Sequence, residues 1–344
     1  MNNTPNVGDI MNSIQKGSFR PNVFLTNMSM AFFQSANAYV AKSLFPILPV
    51  ALSASSYYIF SREDLARDNV QRKPQFGKVA PFQVSNTTDT YSVEVDQIIM
   101  GLDSISQTNI TRQNLPGASD PRKSKVKVIA EQMNIHQDII FANAFFKQGV
   151  WTNEWTGVDT DADPTAKKVL KFGDANFEPI KFIDERKTEM LEVGRREPNK
   201  LALGINAFNA LKENGDLLER IKYSGSSANP ALVNEKVLAE LFGVQEVVVF
   251  KSTYNNAKFG QKENMQFICD PNSALLCYAT DTPAIDEPSA GYTFTWDMLG
   301  NGQYLPVLQY PGENGTHSEF IEGLMATSHK KTCDELGMFF HDIA

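Results

Sequence analysis

Cysteine is scarce in this chain of 344 residues. The three thiols, Cys269, Cys277 and Cys333, fit no CxxC spacing, which argues against a disulfide framework and against a zinc site. Long apolar runs are missing too. No segment approaches the roughly 18 uninterrupted apolar residues of a membrane-spanning helix, so no membrane partner is expected. The opening residues, MNNTPNVGDI, lack the basic start and apolar stretch of a secretory signal, and the expected compartment is a reducing cytoplasm. Without secretion, the Asn-x-Ser/Thr sequons at Asn2, Asn27, Asn86, Asn109 and Asn314 carry no meaning. An excess of positive charge is also absent: the formal net charge is −8. That balance argues against a protein whose main task is gripping nucleic acid, although it leaves room for a local basic surface.

Catalytic signatures are equally sparse. There is no Walker loop, GxSxG or HExxH, and no GxGxxG follows a strand. The strongest metal candidate is Asp159-Thr160-Asp161-Ala162-Asp163, whose alternating carboxylates resemble the start of a calcium loop. Pro164 stands where that loop needs glycine, and Leu170 where its bidentate glutamate belongs, so a solvated acidic loop is the expectation. Trp151, Glu154 and Trp155 suggest a sugar platform with an acid, but no second carboxylate can be placed beside them, and packing is the simpler role. Cys269 and Cys277 lie in apolar strand contexts and read as inert buried thiols. No catalytic, cofactor-binding or metal-binding residue is expected, and no cofactor.

What the chain does contain is an ordered α/β unit from Asn199 to Ala257. LALG reads as a short strand, and Asn206 as the cap of a helix with Phe208, Leu211 and Leu218 on its apolar face. A Gly/Ser/Pro-rich loop follows. Asn234 opens a second helix carrying Val237, Leu238, Leu241 and Phe242, Gly243 closes it, and VQEVVVF reads as a buried strand. Nothing in this unit is chemically reactive, so its order points to assembly.

Other segments read as follows. Residues 1–40 are polar with scattered aromatics and would order only against another surface. Residues 57–98 hold two β-rich flanks around a charged tip, RKPQFG. A hairpin so long, with so little core, makes sense only laid across a partner. Its Arg62, Glu63, Asp64, Arg67 and Asp68 are surface charges that would fix register if buried between subunits. Residues 120–148 carry the longest helical signal, with Asp120 as N-cap, Pro121 in the first turn, Gly149 past the end and a stripe at 126, 129, 133, 140 and 144. At about 1.5 Å per residue it would be roughly 40–45 Å long. His136 falls on the stripe and reads as a satisfied, partly buried histidine. After Trp151 a polar loop leads to a helix with Ile180, Ile183 and Met190 on one side. MQFICD, ALLCYAT and TFTW read as apolar strands, and EFIEGLMATSHKKTCDELGMFF as strands returning to a sheet.

The words of the 199–257 unit, in their order, resemble the A-domain of HK97-fold major capsid proteins of tailed bacteriophages. The resemblance extends to FPILPV (45–50) as the end of the N-terminal arm and to YYIFSREDLARDNVQRKP (57–74) with DTYSVEVDQI (89–98) as the two sides of the E-loop. PSAGYTFTW (288–296) and ELGMFFHDIA (335–344) are similar to its late landmarks. Residues before about 40 and the segment 158–171 carry little of it.

The resemblance implies an α+β chain. Its parts are an N-terminal arm (1–50), an extended E-loop (51–100), a P-domain with a spine helix near 120–148 (101–198), an A-domain (199–290) and a return to the P-domain (291–344). It implies self-assembly into pentamers and hexamers of an icosahedral head around double-stranded DNA, which would be touched non-specifically. Too few residues precede the E-loop for a fused scaffolding domain, so assembly is expected to use a separate scaffolding protein, or none, and a portal is a further expected partner. The implied location is the virion, after assembly in the host bacterial cytoplasm. The loop from Tyr223 to Pro230 would meet its own copies near the capsomer axis. Lys73 and Lys78 are possible donors for a Lys–Asn crosslink, but no acceptor stands out and none is expected. An encapsulin-like compartment is the alternative. A carbohydrate- or nucleotide-active enzyme using the acidic loops is a more distant one.

Overall fold

A computed structural model describes residues 39–60, 62–73, 75–105, 108, 121–224, 233–283, 287–299 and 307–344. In chain order the first elements are α1 (Ala41–Leu44), β1 (Ile47–Val50), β2 (Ala54–Phe60), α2 (Arg62–Ala66), β3 (Asn86–Ser92), β4 (Glu94–Asp103) and the long helix α3 (Pro121–Phe145). Next come β5 (Glu154–Val158), β6 (Lys168–Leu170), α4 (Pro179–Gly194), β7 (Lys200–Gly204), α5 (Ile205–Glu213), α6 (Gly215–Ser224), α7 (Glu235–Phe242) and β8 (Glu246–Phe250). The chain closes with β9 (Thr253–Asn255), β10 (Met265–Phe267), β11 (Ala274–Cys277), β12 (Gly291–Trp296), β13 (Val307–Pro311), β14 (Ser318–Lys331) and β15 (Gly337–His341).

Two sheets organise these elements. In the first, of five strands, β14 is the centre: β4 pairs antiparallel along one edge, while β13 and β12 share the other, and β1 runs parallel to β12. In the second, of six strands, the order is β6-β5-β15-β11-β7-β8. This second sheet crosses the expected boundary at 198/199, because it joins strands from 154–170, 200–250, 274–277 and 337–341. The last strand, β15, leaves the sheet of β14 and lies between β5 and β11.

Helix α3 holds the two sheets together. Its N-terminal half buries Val126, Ile129 and Met133 on Ile98, Met100, Ile321 and Met325 of the first sheet. Gly323 permits this close approach, since a Cβ there would stand 2.5 Å from Ile129 Cγ2. Its C-terminal half belongs to the other core, where Phe141, Phe145 and Phe146 pack with Phe45, Phe250 and Phe339. Each such ring removed from water contributes about 2–3 kcal/mol. The expected stripe holds at 126, 129 and 133. Ile140 and Ala144 also pack against the two cores, half-buried, while the fully buried line continues through Gln137 to 141 and 145, which the buried polar residues Asn134, Gln137 and Asp138 hide from the apolar period. His136 lies beside this face, half-exposed, with Nε2 3.2 Å from Asp96 Oδ2.

In the 199–257 unit, β7 and β8 are parallel neighbours, with Leu201 opposite Val247. Asn234 caps α7 by accepting from Val237 N at 2.9 Å, and Gly243 ends it in the left-handed region at φ 60°. The preceding helix differs from expectation. Gly204, not Asn206, is its N-cap, and the backbone N–H groups of Asn206 and Ala207 donate to Pro271 O. The helix also divides at Asn214. This buried side chain accepts from Asp216 N and Leu217 N at 3.0 and 3.4 Å. Its Nδ2 donates to the carbonyls of Phe172, Phe177 and Asp174 at 3.1, 3.2 and 3.4 Å. The new helix α6 starts on a shifted phase, so Leu217 is buried while Leu218, expected on the core face, is 45% exposed.

Candidate assembly surface

Strands β2 and β3 form a two-stranded ladder running from Ala54 opposite Ser92 to Phe60 opposite Asn86. Its base is anchored on the first sheet: Tyr91 stacks on Phe294 at 4.6 Å between centroids, and Tyr57 lies 5.8 Å from the same ring. Tyr57 donates its hydroxyl to Asp89 Oδ2 at 2.8 Å. Burial, then that bond, raises the Tyr57 pKa, and the same bond holds the Asp89 carboxyl below its ordinary range.

Beyond the base the loop departs from any core. Leu65, Val70, Phe76, Val79 and Phe82 are all exposed, Val70 by 89% and Phe76 by 98%. Five large apolar side chains left uncovered over so short a segment mark a contact surface. The acidic residues beside the tip shape the backbone. Asp64 accepts from the Ser85 backbone N at 2.9 Å and from its hydroxyl, which closes the neck of the loop. Asn69 donates to Asp64 O and Arg67 O, and Asp68 Oδ1 accepts from Val70 N. Arg195, at the end of α4, donates from Nη1 to Leu65 O at 3.0 Å. Glu63, Arg67, Lys73 and Lys78 are exposed.

A second projection departs from the expected strand. Where MQFICD reads as an apolar strand, β9 and β10 form a separate hairpin with Met265 and Phe267 exposed and Phe259 bare between the strands. Asn255 Oδ1 shapes it by accepting from Ala257 N and Asn264 N. The lysines at 258 and 262 around Phe259 were the available signal, since charges beside an apolar residue fit an exposed turn. The expected axial loop at 223–230 lies, from residue 225 onward, outside the described residues, as does the arm before residue 39. The root of the arm is firmly held: Leu44 and Phe45 are buried, and Lys200 Nζ donates to Ser43 O at 2.9 Å.

The residues weighed for chemistry do not converge. Trp151 is buried and donates from Nε1 to Phe145 O at 2.8 Å, and Trp155 is buried beneath the Arg186 guanidinium, 4.1 Å from its ring centroid. Glu154 accepts from Gly149 N and Trp151 N, closing a turn. Asp159 pairs with Lys171 at 3.0 Å, while Asp163 caps a short 3-10 turn through Thr165. Burial pushes the Cys269 thiol pKa well up and that of Cys277 to about 12, so both resist becoming thiolates. Among the described residues no three or more His, Cys, Asp or Glu gather in a metal-binding group, and no helix is long and apolar enough to cross a membrane.

No family model matches the chain. The major capsid protein of Burkholderia phage BcepMu is 23% identical over 280 residues, covering 78% of this chain and 81% of that protein. A phage-related protein of Bordetella bronchiseptica superposes with a TM-score of 0.67 at 19% identity, over 94% of this chain and 97% of that one. The capsid of cyanophage P-SCSP1u gives a TM-score of 0.50 at 9% identity, over 87% and 86% of the two chains. The fold is the α+β, HK97-like capsid fold, with two sheets bridged by one long helix. Within that fold, the chain is similar to the major capsid proteins of tailed phages.

Proposed function

We propose that copies of this chain associate into pentamers and hexamers that close an icosahedral phage head around double-stranded DNA. The observation that carries this reading is the projecting loop of β2 and β3, whose Leu65, Val70, Phe76 and Phe82 are left uncovered by the described residues of the chain. A neighbouring copy supplies it in a closed shell, where many modest contacts add through symmetry. The role is structural rather than catalytic, in keeping with the scattered acids and inert thiols. We assign residues 1–50 to the arm, 51–100 to the E-loop, 101–198 with 291–344 to the P-domain, and 199–290 to the A-domain, with β5, β6 and β15 extending the sheet of the A-domain. A separate scaffolding protein and a portal complete assembly in the host cytoplasm, and the finished subunit resides in the virion.

Expression of the chain with and without its phage partners, followed by negative-stain microscopy, tests the proposal. Closed, uniform shells containing DNA are expected from infected cells. A chain that stays monomeric in infected-cell extracts refutes it, and shells filled with a single protein cargo would assign it to enzyme storage instead.

A further inference from the structure

We propose that the β9–β10 hairpin of one copy docks on the exposed side of α4 in a second copy of this chain, with Phe259 as the inserted side chain. The inference rests on the reading of the chain as a shell subunit and adds which two surfaces meet. The hairpin is built to present this ring. Gln261 N donates to Lys258 O at 3.0 Å, and Gly260, at φ 86°, supplies the positive angle that such a turn takes at its third residue. Phe259 therefore stands at the corner of the turn, fully exposed. Lys258 and Lys262 flank it and outnumber Glu263. Both are exposed, and neither side chain pairs with another among the described residues.

Helix α4 offers the complement. Asp184, Thr188, Leu191, Glu192 and Arg195, spaced by three and four residues, form one exposed side of it. Arg195 donates from Nη1 to Leu65 O at 3.0 Å, which brings the exposed Leu65 to this side. The two leucines, each about half exposed, give the patch its apolar part, and Glu63, Asp184 and Glu192 outnumber Arg67 and Arg195 around them. Two hairpins, or two α4 faces, would oppose like charges, whereas hairpin against helix opposes unlike ones. Hairpin and patch also lie at opposite ends of the six-stranded sheet. α4 leads into the start of β7, while the hairpin leaves from the end of β8, its neck closed by Ile268 N donating to Ser252 O at 3.0 Å. These strands are parallel, with Lys200 opposite Glu246 and Gly204 opposite Phe250, so about 13 Å of strand separates the two ends, at roughly 3.3 Å per residue. The contact therefore joins copies head to tail. Such a heterologous contact closes into a ring when its rotation divides a full turn, as pentamers and hexamers require.

Charge reversal in the full-length chain tests the pairing. Lys258→Glu with Lys262→Glu should raise the concentration at which shells appear by more than about tenfold, read by light scattering. The melting temperature should hold, because both sites are exposed. Adding Asp184→Lys and Glu192→Lys to the same chain should restore the native threshold, since every copy then carries a reversed hairpin and a reversed helix face. Phe259→Ser should raise the threshold about 30-fold. Phe259→Cys with Leu191→Cys reads the contact directly: after oxidation, assembled material should run as a ladder of linked subunits on a denaturing gel, and each single variant should not. Shells that form at the native threshold from the hairpin-reversed chain, or double-cysteine shells without a ladder, overturn the inference and leave the shell reading standing. A reversed hairpin that the reversed helix does not rescue also overturns it and points to the enclosed polyanion as the occupant. A native chain that forms no shell overturns both.

Discussion

Replacing Phe76 by Asn isolates the contribution of the projecting loop to assembly. Phe76 is 98% exposed and adopts φ 63°, a left-handed conformation that Asn tolerates better than a bulky aromatic does. The substitution therefore removes the ring without disturbing the turn. The free subunit loses no buried area, so its unfolding free energy should change by less than about 0.5 kcal/mol. In the shell, a covered phenyl ring contributes about 2 kcal/mol per subunit, which at about 1.4 kcal/mol per decade is a roughly 30-fold change in the association constant. The concentration at which shells first appear, read by light scattering or size-exclusion chromatography, should rise by that factor. Phe76→Leu should recover most of it. An unchanged assembly threshold alongside unchanged subunit stability would refute the assignment of this loop as the contact surface.

Three further substitutions probe the scaffold. Asn214→Asp keeps the acceptor for the Asp216 and Leu217 N–H groups but aims an oxygen at the carbonyls of Phe172, Asp174 and Phe177. It should cost about 3–5 kcal/mol in urea unfolding, and a loss under about 1 kcal/mol would show that the donated bonds contribute little. His329 is half-buried with Nδ1 3.0 Å from Thr293 Oγ1, and the loss of solvent around its ring lowers its pKa to about 4. The unfolded chain binds the proton first, so stability should fall as pH drops from about 6.5 toward 4. His329→Gln should flatten that limb of a pH–stability curve, and a limb of equal steepness would assign the acid sensitivity elsewhere. Phe45→Ala removes a ring 4.4 Å from Phe145 and should cost about 3–5 kcal/mol in thermal or urea unfolding while loosening the root of the arm to proteolysis; protection of the arm equal to the native chain would refute that anchoring.

Signals confined to a few neighbouring residues were legible from sequence. The cap at Asn234 and the left-handed stop at Gly243 depend on local backbone demands, and each is present; the flanks expected at 57–74 and 89–98 pair only as 54–60 with 86–92, because 94–103 is taken up by the long edge of β14. What escaped was set by distant partners. Gly204 serves as a helix cap because the carbonyl of Pro271 receives the first N–H groups, an arrangement invisible within 199–214. Asn214 breaks a helix that periodicity alone would continue, because three carbonyls from 172–177 converge on it. The late buried stripe of α3 passes through Gln137, which is a gap in any hydrophobicity pattern. The six-stranded sheet likewise draws on four separated stretches of chain, so no contiguous division could outline it.

The absence of converging chemistry in the 199–257 unit acquires its meaning from where apolar surface is left uncovered. Its own side is closed: Leu201, Leu203, Phe208, Leu211, Leu238, Phe242, Val247 and Val249 form one buried cluster with strands β5, β11 and β15. The most exposed apolar residues, Val70, Phe76 and Phe259, lie on the β2–β3 loop and the β9–β10 hairpin, which leave the two sheets in separate segments of chain. A stable body with apolar extensions is what weak, repeated association requires. The body pays its folding entropy once, within the subunit, and the extensions add their burial only when a neighbour arrives. Contacts of about 2 kcal/mol each are individually reversible, which lets misplaced subunits leave, yet summed around a closed shell they hold it shut. Strengthening one extension, for example by Gln75→Leu beside Phe76, should therefore lower the assembly threshold while increasing the fraction of misclosed particles in micrographs. More numerous and equally regular shells would contradict this balance.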